Sequence, residues 1–159
     1  MSRDDDLHAI DLELVRLGRI MASSRGHRLR SDRSRTDLAP HELSVLAELA
    51  RHGPSRLGLL AGRVQMELPH ASRTVRALAD RGLVTHAADP RDGRAVRVDV
   101  TRRGRTEVER YRAASRALLA EGLVDWSNEQ LHQLGELLAE LVDAFVRHPE
   151  LAPPEPVKD

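Results

Sequence analysis

Apolar residues along the first fifth of the chain keep helical time. Leu7, Ile10, Leu14, Leu17 and Met21 recur at alternating spacings of three and four, the a/d pattern of a seam between helices. The pattern predicts one helix over about 5–28, ended by Gly26 and the polar stretch Ser31 to Asp37. Pro40 opens a second helix, with Leu43, Leu46, Ala47 and Leu49 on its apolar side, and His52-Gly53-Pro54 stops it. Ser55 is expected to cap a short third helix over about 56–62 that buries Leu57, Leu60 and Ala61. Met66 and Leu68 fall in a turn. Pro69 then begins a fourth helix, because the N–H that proline lacks has no partner in a first turn. This helix is predicted to run to about Arg81, where Gly82 ends it.

Beyond Gly82 the period changes from helix to strand. Leu83-Val84 begins one strand, and Val96, Val98 and Val100 alternate with Arg97 and Asp99 in another. Between them the run DPRDG is a turn. Thr101 caps a long helix through about Leu119. Ser127, with Gln130 three residues on, forms a capping box for the last helix. That helix carries a second seam, Leu131, Leu134, Leu138, Leu141 and Phe145, before a proline-rich tail, LAPPEPVKD, that reads as disordered.

Short helix, turn, longer helix and two strands around a tight turn make a winged helix-turn-helix. The expected fold is mainly α with a small two- or three-stranded β wing, the reader module being flanked by N- and C-terminal dimerisation helices. The corresponding division is 1–36 for an N-terminal dimerisation helix and loop, 37–105 for the winged helix-turn-helix, 106–148 for C-terminal dimerisation helices, and 149–159 for the tail. A twofold dimer doubles the base contacts of one small reader and matches a palindrome.

Charge sharpens this picture only when taken by segment. The 159-residue chain has 25 basic and 25 acidic residues. Residues 54–105 hold eleven arginines against five acids, a net of +6, whereas residues 106–159 carry a net of −6. A basic middle is what a protein that neutralises DNA phosphates needs. One Trp, one Tyr and one Phe argue against base-stacking platforms for single strands. With no cysteine, disulfides and cysteine-ligated zinc are excluded. No apolar run reaches the length of a membrane span and the start, MSRDDDLHAI, lacks the features of a signal peptide, so a cytoplasmic protein without membrane contact is expected.

The residues LAPHELSVLAELARHGP, LGLLAGRV, PHASRTVRALADRGLV and DPRDGRAVRVDVTRRG, taken in that order, resemble the MarR family of bacterial transcription regulators. The resemblance covers about residues 5–147, and its most specific part is RxLxDRGLV, a spacer, DPRDGRA, alternating valines and TxxG. Gly93 departs from the pattern, since family members often have arginine there. The resemblance implies a homodimer on a palindromic operator, usually repressing, and release by a small, often aromatic or phenolic, anionic effector bound between the dimer helices and the reader.

Within the proposed recognition helix, His70, Ser72, Arg73 and Arg76 form the polar side, and Ala71, Val75 and Leu78 face the core. Arg73 or Arg76 can present a bidentate fork to guanine O6 and N7; phosphate contact is the alternative for each. In the wing, Arg91 is expected to point outward to a minor groove, with Arg94 partly pairing Asp89 or Asp92. Arg102, Arg103 and Arg105 are left to phosphates or acidic neighbours. Arg16, Arg19, Arg25, Arg28 and Arg30 would suit an anionic effector, or form a solvated helix face. Trp126 lines an effector pocket or simply packs at a helix boundary. Eight histidines show no short-spaced ligand pair, which leaves them as scattered surface residues and predicts no metal site. No catalytic motif occurs, so neither an enzyme nor a cofactor is expected. The alternative function is a winged-helix protein-interaction module that binds an acidic partner without specific DNA recognition.

Overall fold

The structure, a computed structural model, describes residues 2–89 and 92–148. Seven helices and three strands follow in the order α1 Arg3–Ala22, α2 Ser24–Ser34, α3 Pro40–His52, β1 Ser55–Arg56, α4 Leu57–Arg63, α5 Leu68–Asp80, β2 Val84–Asp89, β3 Asp92–Val100, α6 Arg102–Gly122 and α7 Asn128–Val146. The mainly helical winged fold is as expected.

The core is built where apolar periodicity from α3, α4 and α5 meets the strands. Leu43, Val45, Leu46 and Leu49 of α3 pack with Leu60, Val75, Leu78, Leu83, Val84, Val98 and Val100, and Leu38 and Val108 complete the cluster. All three strands are antiparallel, in the order β1-β3-β2. Val84 lies opposite Val100 and His86 opposite Val98, and a bulge interrupts the β2–β3 ladder between Ala88 and Asp89.

Two expectations at the start of the chain are corrected. The helix predicted over 5–28 is two helices, broken at Ser23, which is extended (φ −63°, ψ 139°). The Ser23 hydroxyl donates to Ile20 O at 2.8 Å and accepts from Gly26 N at 3.0 Å, so one side chain closes α1 and caps α2. Gly26 does not end a helix. A Cβ there would stand 3.0 Å from Ser23 Oγ and 3.3 Å from Ile20 O, so its missing side chain leaves room for the corner. The second helix runs on to Ser34, and Arg35 terminates it in the left-handed region (φ 54°).

Ser55 is not a helix cap. It is buried in β1 opposite Val98, and its hydroxyl donates to Arg56 O. Arg56 occupies the cap position of α4 without a side-chain cap bond. Two residues of β-pairing outcompete the local capping preference because they complete the sheet edge beside β3.

Leu68, expected in the turn, is the first residue of α5, and the strands run to Asp89 and from Asp92, into the run DPRDG expected to be turn throughout; the other boundaries follow their signals. Glu42 caps α3 by accepting from Ala39 N at 2.8 Å. Gly82 (φ +68°) ends α5, a conformation glycine adopts without strain. Thr101 Oγ1 accepts from Gly104 N at 3.1 Å to start α6, and Ser127 and Gln130 form the reciprocal box of α7. Neither α1 nor α7 contains a buried residue. No helix among the described residues is long and apolar enough to cross a membrane.

Candidate nucleic-acid interface

The turn between α4 and α5 sets the aim of α5. Met66 N donates to Ala61 O at 2.9 Å, and Gln65 takes a left-handed conformation (φ 53°). Pro69 lies in the first turn of α5, as its chemistry requires. From there α5 divides into two faces. Ala71, Thr74, Val75 and Leu78 are buried against the core, while His70, Arg73 and Arg76 are exposed and Ser72 is half-buried. Residues three apart are neighbours on a helix surface, so His70, Arg73 and Arg76 form one stripe, each about 4.5 Å along the axis from the next. Neither Arg73 nor Arg76 has a hydrogen-bond or ion-pair partner among the described residues.

Other arginines of the basic segment are committed to the fold. Arg81 bonds Asp37 and lies 3.6 Å from Glu42, tying the end of α5 to the start of α3. Arg97 donates to Pro54 O across the β1 edge. Arg103 donates to Arg81 O at 3.2 Å. Arg105 donates to Ala50 O and lies 3.6 Å from Asp99. Arg63 pairs with Glu48 at 3.5 Å. Two of the three arginines after the wing therefore have protein partners. Arg91 lies outside the described residues, and so does the side chain of Arg94, whose backbone belongs to β3.

Two features are not visible in the sequence. His41, in the first turn of α3, lies beside His70, with ring centroids 5.1 Å apart. Between α3 and α6 there is a cavity of about 260 Å³ lined by Pro40, Leu43, Ser44, Ala47, Val108, Tyr111 and Arg112. Of the five arginines expected near an effector, only Arg30 reaches this region. Its Nε donates to Tyr111 Oη at 2.8 Å, and His27 Nδ1 is 3.1 Å from the same oxygen. Arg16 pairs with Glu13, while Arg19, Arg25 and Arg28 are exposed. Trp126 is exposed at the α6–α7 corner and is not part of the cavity wall. Also between α2 and α6, Arg33 grips Glu121 with both terminal nitrogens, and that hydrogen bonding and charge hold the Glu121 carboxyl below its usual range. Among the described residues no group of three or more His, Asp or Glu side chains is placed to hold a metal ion.

Residues 38–96 match the MarR family profile. Over 138 residues the chain is 36% identical to an uncharacterised HTH-type transcriptional regulator of Mycobacterium bovis, covering 85% of this chain and 92% of the relative. It is 24% identical over 107 residues to the HTH-type transcriptional repressor MdtR of Bacillus subtilis, covering 67% and 69% of the two chains. Among solved structures, a MarR family protein from Bacillus stearothermophilus superposes with a TM-score of 0.72 at 21% identity, over 86% of this chain and 96% of that one.

Proposed function

This chain belongs to the MarR family of DNA-binding transcriptional regulators, and from that premise we propose that it is a homodimeric repressor of a palindromic operator, released by a small anionic ligand. The observation that carries the reading is the split face of α5, with its inner residues fixed in the core and His70, Ser72, Arg73 and Arg76 on the outer side. In this proposal α5 enters the major groove. Arg73 and Arg76 read base edges, and His70 and Ser72 contact bases or phosphates. Arg91 and Arg94 serve the wing's approach to the minor groove.

Residues 37–105 are then the DNA-binding unit, and 1–36 and 106–148 the dimerisation helices. Support comes from Leu7, Ile10, Leu14, Leu17 and Met21 on α1 and Leu131, Leu138 and Phe145 on α7, all exposed in one protomer. Apolar residues collected in this way mark an interaction surface. A second copy buries them and sets the two α5 helices about one DNA turn, roughly 34–36 Å, apart.

The cavity between α3 and α6 is the proposed effector site. Its walls are apolar apart from Ser44, Tyr111 and Arg112, a lining suited to an aromatic carboxylate. A ligand there lowers DNA affinity only by preferring a dimer with misplaced α5 helices. Selection from a random duplex library with the purified protein tests the DNA reading. Enrichment of inverted repeats with half-sites one turn apart is expected; an unenriched pool overturns it. Salicylate titrated into the selected complex, followed by anisotropy, tests the switch. Saturable release is expected, and its absence across a panel of aromatic carboxylates removes the anion effector.

A further inference from the structure

We propose that His41 and His70 form a clip for a divalent transition-metal ion on the DNA-facing end of the reader. The two residues come from the first turns of α3 and α5, far apart in sequence. Their ring centroids stand 5.1 Å apart with planes inclined by 54°. Both residues are exposed, and neither ring has a hydrogen-bond or ion-pair partner among the described residues.

That spacing, also within the range of an ordinary tilted ring pair, matches the one an ion held between the two rings would set. With two metal–nitrogen bonds of about 2.0–2.1 Å at a tetrahedral angle, each ring centre lies roughly 3.2 Å from the metal, and the centres lie roughly 5 Å from each other. The inclined planes are not a stacked pair. Imidazole nitrogen selects zinc, nickel or copper over magnesium or calcium, which prefer oxygen. Opposing this, the positive ends of two helices disfavour a cation, by about two- to fivefold in affinity for each helix. Two metal–imidazole bonds outweigh that.

Glu42, adjacent to His41, is not a third ligand, because its carboxylate is engaged by Ala39 N and Arg81. No other His, Asp or Glu joins the pair among the described residues. The ion therefore keeps open positions for water and, on DNA, for a phosphate oxygen. This last step rests on the DNA-binding reading: an occupied clip adds two positive charges beside the Arg73–Arg76 stripe and raises operator affinity.

The experiment has a DNA-free arm, so the clip and the regulatory reading fail separately. Zinc chloride is titrated into the full chain at about pH 7.4, since the unprotonated imidazole is the ligand, with calorimetry and imidazole NMR as readouts. One ion per chain is expected, with the ring signals of His41 and His70 shifting together. His41→Gln and His70→Gln should each weaken binding by about tenfold or more, with helical circular dichroism unchanged, while His132→Gln leaves it intact. Binding as tight in His41→Gln as in the wild type, or shifts confined to other histidines, overturns the clip. In the second arm, zinc should raise operator affinity several-fold in the wild type and not in His41→Gln. An equal zinc effect in both overturns the coupling.

Discussion

Replacing Gly104 by alanine should loosen the reader from its back. Gly104 is in the first turn of α6, where a Cβ would fall 2.2 Å from the Leu83 carbonyl oxygen and 2.8 Å from Val100 Cγ2. Comfortable nonbonded separation is roughly 3.5 Å, so relief takes a displacement of about 1 Å. The atom to be moved is not free to move. Leu83 O accepts from Thr101 N at 3.0 Å and from Thr101 Oγ1 at 3.1 Å, and Leu83 and Val100 are core residues. Overpacking of this kind costs about 1–3 kcal/mol, and loosening two hydrogen bonds and the α6 cap adds about 1 kcal/mol or more. Alanine's better helix propensity returns at most about 1 kcal/mol. The net expected loss is about 2 kcal/mol, a shift of roughly 1 M in a urea midpoint. Gly58→Ala is the matched control. Gly58 is an exposed residue of the short helix α4, and a Cβ there would meet nothing within 4 Å, so this variant should hold or gain stability by up to about 1 kcal/mol. Urea unfolding of both variants, followed by helical circular dichroism, decides the matter. A Gly104→Ala midpoint at or above the wild-type value would refute the close-approach argument.

Three further outcomes are expected. Arg73→Ala and Arg76→Ala should each weaken operator binding more than random-DNA binding, by about 1–3 kcal/mol of discrimination in competition anisotropy; equal losses on both DNAs reassign these side chains to phosphates. Leu131→Glu with Leu138→Glu should give a folded monomer by light scattering and circular dichroism, because neither residue is buried in its own protomer; a dimer of wild-type affinity removes α7 from the interface. The Glu121 carboxyl is depressed by the hydrogen bond and charge of Arg33, so its stabilising contribution is present above the ordinary carboxylate pKa, about 4.3, and is lost as pH falls through its lower folded value. Both groups are exposed, so the effect is small; melting midpoints between about pH 5 and pH 3 should fall more steeply in the wild type than in Glu121→Gln, and parallel curves would refute the link.

Local signals are legible wherever one residue's chemistry decides an element. Pro40, Pro69, Gly53, Gly82, Thr101 and the Ser127–Gln130 box mark their boundaries because each acts within a few residues of itself. Apolar period alone separates the inner face of α5 from its exposed stripe. The Ser23 break escapes that period because the seam's spacing continues almost up to it; the kink is made by a hydroxyl that competes with the helix backbone. Ser55 misleads because its β partner, Val98, lies far along the chain. The same distance hides the His41–His70 pair, which no local spacing rule can detect, and the cavity, whose walls come from two helices that neighbour each other only in three dimensions.

The bareness of α1 and α7 has a consequence for the life of the protein in a cell. A 20-residue helix with no buried residue of its own has little to hold it in water. In the proposed dimer its order comes from the second molecule, so the ordering of α1 and α7, though not of the reader's own core, is coupled to association and governed by mass action. Dilution then lowers both the number of dimers and the resistance of each remaining chain to proteolysis. Scarce copies are cleared faster than abundant ones, so the regulator's abundance sets its own half-life.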